Sequence, residues 1–120
     1  MGFALTAFLG AELVRGTEFI LDLTGFAQKA EAADLIITGE GRLDSQSLMG
    51  KVISEVAKRA GDKPVAVVCG LSILENAPLE IAAVFETNPA HLPFEAVLPT
   101  CEKDLYDTVS TKVSNFLKNF

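Results

Sequence analysis

Glu40, Arg42, Asp44, Ser45, Gln46, Ser47 and Lys51 bring carboxylates, a guanidinium, hydroxyls, an amide and an ammonium into one short stretch, ITGEGRLDSQSLMGK. Such a set can bind an anion. Ser45 or Ser47 can cap a following helix whose free amides and positive dipole end face a phosphate or carboxylate, with Arg42 or Lys51 adding charge. Glu40 and Asp44 can hold Mg²⁺ directly or through water. A purely structural arrangement is open to the same residues. Arg42 can pair with Asp44 or Glu40 in solvent, Lys51 with Glu55 as an ordinary i,i+4 pair, and the serines can be plain caps.

The flanking residues read as the elements that position this stretch. Leu35, Ile36 and Ile37 form an unbroken apolar run suited to a strand covered on both faces, and Gly39 and Gly41 then let the backbone turn into a polar loop. Ligands in open α/β sheets sit beyond the carboxyl ends of strands, where this loop begins; Asp34, at the other end, is therefore a poor candidate. Leu48, Val52, Val56 and Ala60 mark the apolar face of a helix, with Lys51, Glu55 and Arg59 on another face and Gly61 as its stop. Gly50 is a third loop glycine; Pro64 then precedes a second buried strand, VAVVC, with Gly70 and Ser72, a candidate ligand contact, beyond its carboxyl end. A brief helix is expected over Ile73 to Ala77, then a third strand from Ile81 to Phe85 ending at Glu86, Thr87 and Asn88.

At the amino terminus, GFALTAFLGAEL is apolar on nearly all sides and reads as a helix without a capping residue. Thr17 can cap a second helix with Phe19, Ile20 and Leu23 inward and Gly25 at its end. A short helix from Phe26 to about Ala32 leads to the first strand. Three prolines and the single histidine make 88–100 irregular, with one helical turn. A terminal helix then carries an apolar stripe of Leu105, Val109, Val113, Phe116, Leu117 and Phe120. Alternating strand and helix patterns predict an α/β fold, a small parallel sheet of about three strands with right-handed crossovers, flanked by helices. So thin a sheet and so apolar a first helix call for a further covering surface, and the first helix predicts a homo-oligomer with itself in or beside the interface.

A chain of 120 residues corresponds to a single domain. The net charge of -6, with 16 acidic against 10 basic residues, argues against a nucleic-acid partner but leaves room for a locally held phosphate. Cys69 and Cys101 lack the spacing of a zinc or redox motif and read as free thiols in a reducing compartment. No apolar run approaches a membrane span and the start lacks signal-peptide features, which points to the cytoplasm and away from a membrane.

Familiar phosphate motifs fail on spacing. A Walker A loop ending at Gly50 and Lys51 would need Gly where Ser45 stands and Ser or Thr where Val52 stands; GxGxxG from Gly39 and Gly41 would need Gly where Asp44 stands. His91 lies between prolines with no Ser, Cys or acidic partner at a telling spacing, and reads as exposed. Cys69, inside an apolar strand, should have a raised pKa and poor access, unlike a nucleophile.

The stretch resembles the signature of the bacterial glycerate kinases, close to TGEGR-x-D-x-Q-[ST]-x-x-GK. The match covers Thr38, Gly39, Glu40, Gly41, Arg42, Asp44, Gln46, Ser47, Gly50 and Lys51. FLGAEL, KPVAVVCG and IAAVF resemble its flanks. The resemblance implies ATP-dependent phosphorylation of D-glycerate to a phosphoglycerate, commonly the 2-phosphate, with Mg²⁺ carrying the nucleotide. It implies a Rossmann-like sheet as part of a larger two-domain kinase fold, and this chain as its carboxyl-terminal fragment, inactive alone. Arg42, Gln46, Ser47 and Lys51 would then contact glycerate or phosphate, and Glu40 and Asp44 would serve as metal or acid/base residues. The competing expectation is a non-catalytic α/β ligand-binding or interaction module.

Overall fold

The computed structural model describes residues 1–45, 47 and 52–119. Gln46, Gly50 and Lys51 of the polar stretch, like Leu48 and Phe120, lie outside the described residues. The elements are α1 (Gly2–Leu9), α2 (Gly16–Leu23), α3 (Phe26–Glu31), β1 (Ile36–Leu43), α4 (Val52–Ala60), β2 (Val65–Ser72), β3 (Ile81–Glu86), α5 (Phe94–Val97), α6 (Cys101–Asp107), a π-helical segment (Thr108–Val113) and α7 (Ser114–Lys118). The three strands form a parallel sheet in the order β1-β2-β3, so the expected α/β architecture stands.

The core lies between the sheet and α2–α4. Val65, Val67 and Cys69 of β2 meet Ile53, Val56 and Ala60 of α4, with Ile36, Ile81 and Ala30 closing the cluster. Each fully buried Val or Ile contributes about 1.5–3 kcal/mol. On the opposite face, where Val68 is in register with Phe85, the Phe85 ring meets Phe116 of α7 edge-on with centroids 5.6 Å apart. Gly61, at φ 66°, ends α4 in the left-handed conformation that glycine adopts without strain.

Several local expectations change in the folded chain. Gly39 and Gly41 do not turn the backbone: β1 runs on through Glu40 and Arg42 to Leu43, paired with β2 out to Leu43↔Ser72. Ser72 accordingly closes β2 instead of lying beyond it. Both strands overshoot β3, whose last paired residue is Glu86 opposite Cys69. Residues 73–80 contain no helix. Helix α2 begins at Gly16 behind Arg15, without a side-chain cap from Thr17, and Phe19, Ile20 and Leu23 are exposed while Leu21 packs on the core.

In α4 the buried face is rotated from the expected stripe. Ile53 and Glu55 are buried and Val52 is exposed, because Glu55 has an interior partner in Arg59, which also pairs with Asp22 of α2 at 3.2 Å. In the terminal helical stretch the π-helical segment widens the turn and shifts the phase of the residues after it. Thr108 and Val113 are buried there, while Leu105, Val109 and Leu117 stay exposed. Helix α1 ends at Gly10, φ 63°, and buries none of its residues. The radius of gyration is 16.8 Å, against roughly 14 Å for a compact chain of this length. Among the described residues no helix is long and apolar enough to cross a membrane.

Candidate functional site

The carboxyl end of β1 carries Glu40, Gly41 and Arg42 of the signature, with Gly41 and Arg42 on the overhang at the edge of the sheet. Leu43, fully buried, anchors its end, while the Arg42 side chain two thirds emerges into solvent. Its Nε lies 3.9 Å from Asp44 Oδ2, a long contact that at an exposed site is worth no more than about 1 kcal/mol. Glu40 is half-buried, and its Oε1 accepts the Gly41 amide at 3.2 Å.

Beyond Leu43 the chain closes on itself. Ser47 N donates to Asp44 Oδ1 at 3.0 Å and to Asp44 O at 3.0 Å; Asp44 N donates to Ser47 Oγ at 3.3 Å; Ser47 Oγ donates to the Arg42 carbonyl at 3.1 Å. The exchange resembles a capping box in its logic, each side chain satisfying the other's backbone. Ser47 is 1% exposed. Its hydroxyl holds the turn that presents Arg42, and Asp44 shares that task.

Glu40 and Arg42 open onto two adjoining recesses. Glu40 lines a recess of about 310 Å³ with Gly39, Cys69 and Leu105; Arg42 lines a larger cleft of about 520 Å³ with Gly41, Leu71, Asn88, Phe94 and Asp104. Gly70, Thr87 and Cys101 border both. Thr87, Asn88, Cys101 and Asp104 were not among the sequence candidates. The end of β3 pointed to the first two; nothing local marks the two on α6.

Glu86 gathers the neighbouring strand ends. Its Oε2 accepts the Ser72 amide at 3.2 Å and faces His91 Nε2 at 3.1 Å. His91 thus has an acidic partner after all. The loop folds back because Asn88 brackets Leu92, accepting its N–H at 3.0 Å and donating to its carbonyl at 2.9 Å, with His91 at φ 53°. Ser72 Oγ accepts the Leu74 amide at 3.4 Å. Lys112 of the π-helical segment donates to the Glu86 carbonyl at 3.0 Å, tying the last helices to this edge.

Burial, followed by the nearby Glu86 carboxylate, pushes the Cys69 thiol from 9.0 up to about 11. Both the raised pKa and the poor access expected of a thiol inside an apolar strand are present. Among the described residues no three His, Cys, Asp or Glu side chains gather as a metal cage. Mg²⁺ bound with a phosphate substrate needs only one or two carboxylates, water and phosphate oxygens, so Glu40 on its open recess fits such a role. Asp44, committed to the turn and the Arg42 contact, fits it less directly.

Known proteins resemble this chain in sequence and in fold. The model of the glycerate kinase family matches residues 1–117. The glycerate kinase of Bacillus cereus is 37% identical over 120 residues, 99% of this chain and 30% of that protein. The glycerate kinase of Neisseria meningitidis serogroup B is 40% identical over 111 residues, 88% of this chain and 30% of that protein. A crystal structure from Salmonella typhimurium LT2, described as a candidate glycerate kinase 2, superimposes with a TM-score of 0.66 at 34% identity, covering 99% of this chain and 31% of its own. The chain thus spans about 30% of the length of the curated relatives it matches. With the family model matched over residues 1–117, from α1 into α7, the chain belongs to the glycerate kinase family.

Proposed function

We propose that this chain supplies one wall of the cleft in which a cytoplasmic kinase transfers the γ-phosphoryl group of ATP to a hydroxyl of D-glycerate, giving 2-phosphoglycerate. One observation carries the reading: Arg42 and Glu40 stand two residues apart at the carboxyl end of β1, Glu40 level with the end of β3 and Arg42 on the overhang beyond it, each lining an open recess. Phosphoryl transfer asks mainly for positioning and for cations and donors where charge develops. Arg42 would bind the glycerate carboxylate or a phosphoryl oxygen. Gln46 and Lys51, signature residues outside the described set, would add donors, and Ser72 would shape the neighbouring strand end. Gly39, Gly41 and Gly50 would let substrate approach the backbone.

Mg²⁺, when bound with the nucleotide, would neutralise phosphate charge, with Glu40 as its carboxylate contact. Asp44 would hold Arg42 in place, and Ser47 would lock the turn beneath it. Apart from its relatives' other segments the chain would have little or no turnover, because one wall cannot supply every group the reaction needs.

A chimera tests the reading. This chain would replace the matching segment of the Bacillus cereus relative, and ADP release with D-glycerate would be followed by a coupled assay. Turnover near the parent's supports the proposal; a folded chimera without turnover overturns it. Turnover of ~1–100 per second by the isolated 120 residues would overturn the one-wall assignment.

A further inference from the structure

We infer that the larger cleft, between the β1–β2 overhang and α5–α6, receives the nucleoside part of the nucleotide, an inference that rests on the kinase reading above. Glycerate is a three-carbon acid crowded with oxygen. The cleft encloses about 520 Å³, a volume typical of sites for drug-sized ligands, whose linings are mostly apolar with a few placed polar groups. Its apolar wall is Leu71, Leu92, Phe94 and Val97. Phe94 is 68% exposed and Leu92 52%, so this wall stays wet in the free chain. A planar, weakly polar base would dry it, gaining about 25 cal/mol for each Å² of apolar surface removed from water. A small anion would gain nothing there.

The floor favours a flat ligand too. Gly41 and Gly70 line the cleft without side chains, and no heavy atom lies within 4 Å of an ideal Cβ on Gly41, so a ligand can come close to the backbone there. At the margin, Asp104 offers an acceptor for sugar hydroxyls, already oriented by Thr100 Oγ1 at 2.7 Å from its Oδ2. Carboxylates bind ribose hydroxyls in this way at the carboxyl edges of other parallel sheets. Arg42, on the same cleft, then meets the phosphates that extend from the sugar. The adjoining recess with Glu40 is left for the small acid.

Two measurements test the assignment. Amide chemical shifts of the chain are followed during titration with AMP and with D-glycerate; AMP is expected to shift Leu71, Thr87, Phe94, Val97 and Asp104 in a saturable manner that glycerate does not reverse. AMP-dependent shifts confined elsewhere, no saturable shifts, or displacement by glycerate overturn the assignment. In the Bacillus cereus chimera, Phe94→Ala is expected to raise the KM for ATP at least ~10-fold while changing the KM for glycerate less than ~2-fold. Asp104→Asn, which keeps the side-chain shape, is expected to act in the same direction. An unchanged KM for ATP in both variants overturns the cleft assignment and leaves the kinase reading standing. An unsubstituted chimera without turnover sinks that reading instead, and the AMP shifts still decide the cleft.

Discussion

The carbonyl oxygen of Gly41 lies 2.6 Å from the position a Cβ on Gly70 would occupy, backbone against backbone at the rim of the sheet. Gly41 itself has no heavy atom within 4 Å of its own ideal Cβ. Gly70→Ala is therefore expected to cost about 1–3 kcal/mol by forcing the two strands apart. Gly41→Ala should stay within about 0.5 kcal/mol, as is usual for open surface sites. Urea denaturation of both variants is the check, and coincident midpoints would contradict the close approach.

Ser47 and Arg42 should separate stability from activity. Ser47→Ala removes the bonds to the Arg42 carbonyl and the Asp44 amide, and is expected to cost about 1–3 kcal/mol because buried partners lose satisfaction. Arg42→Ala, at an exposed side chain, should leave the melting temperature nearly unchanged. In the chimera it should lower kcat/KM by at least ~10-fold, about 1.4 kcal/mol of transition-state stabilisation. Unchanged kinetics would return Arg42 to a solvated ion pair.

Arg59 links the buried Glu55 carboxylate to exposed Asp22. Removing Arg59 strands a carboxylate away from water, whereas removing Asp22 returns one side of the guanidinium to solvent. Arg59→Ala is expected to lower the denaturation midpoint well beyond Asp22→Ala. Equal effects in thermal melts would mean that Glu55 reaches water on its own.

The Cys69 thiol supplies a pH dependence with a defined sign. Its folded pKa, about 11, lies above the ordinary 9.0, so the folded state holds the proton more tightly. The associated stability is fully present below pH 9.0 and is lost as pH rises toward 11. It amounts to roughly 2–3 kcal/mol. Stability curves across this window should fall for the parent chain and fall less steeply in Cys69→Ala, the remaining slope including Lys103, whose pKa its hydrogen bond to Asp107 also raises. In the native chain at pH 8, a thiol reagent should modify exposed Cys101 and spare Cys69.

Helix α1 leaves Phe3 and Phe8 more than four-fifths exposed and Leu9 three-quarters exposed. Burying each large apolar side chain is worth about 1.5–3 kcal/mol, enough in combination to offset much of the cost of association. We expect the isolated chain to form a homo-oligomer, most simply a two-fold dimer, through or beside this helix. Sedimentation equilibrium at micromolar concentration should detect it, and Phe3→Glu with Phe8→Glu should dissolve it. A parent chain that is monomeric throughout would refute the expectation.

The residues by themselves determined what depends on neighbours along the chain. The apolar runs at Ile36 and Val65, the α4 period ended by Gly61, the alternation of strand and helix, and the spacing TGEGR-x-D-x-Q-S carry the parallel sheet and the family. Only the tertiary structure decided which groups meet. Gly39 and Gly41 favour turns when read alone, yet β1 runs through both, because Gly39 pairs with Val68 and the residues on either side of Gly41 pair with Cys69 and Leu71 of β2. Glu55 reads as solvent-facing until Arg59 gives it an interior partner, and His91 reads as solitary until the Asn88 turn brings Glu86 to it. Asp104 enters the cleft from a helix 62 residues beyond Arg42. Contacts across such separations depend on where whole elements pack, and a local window of sequence holds no record of that packing.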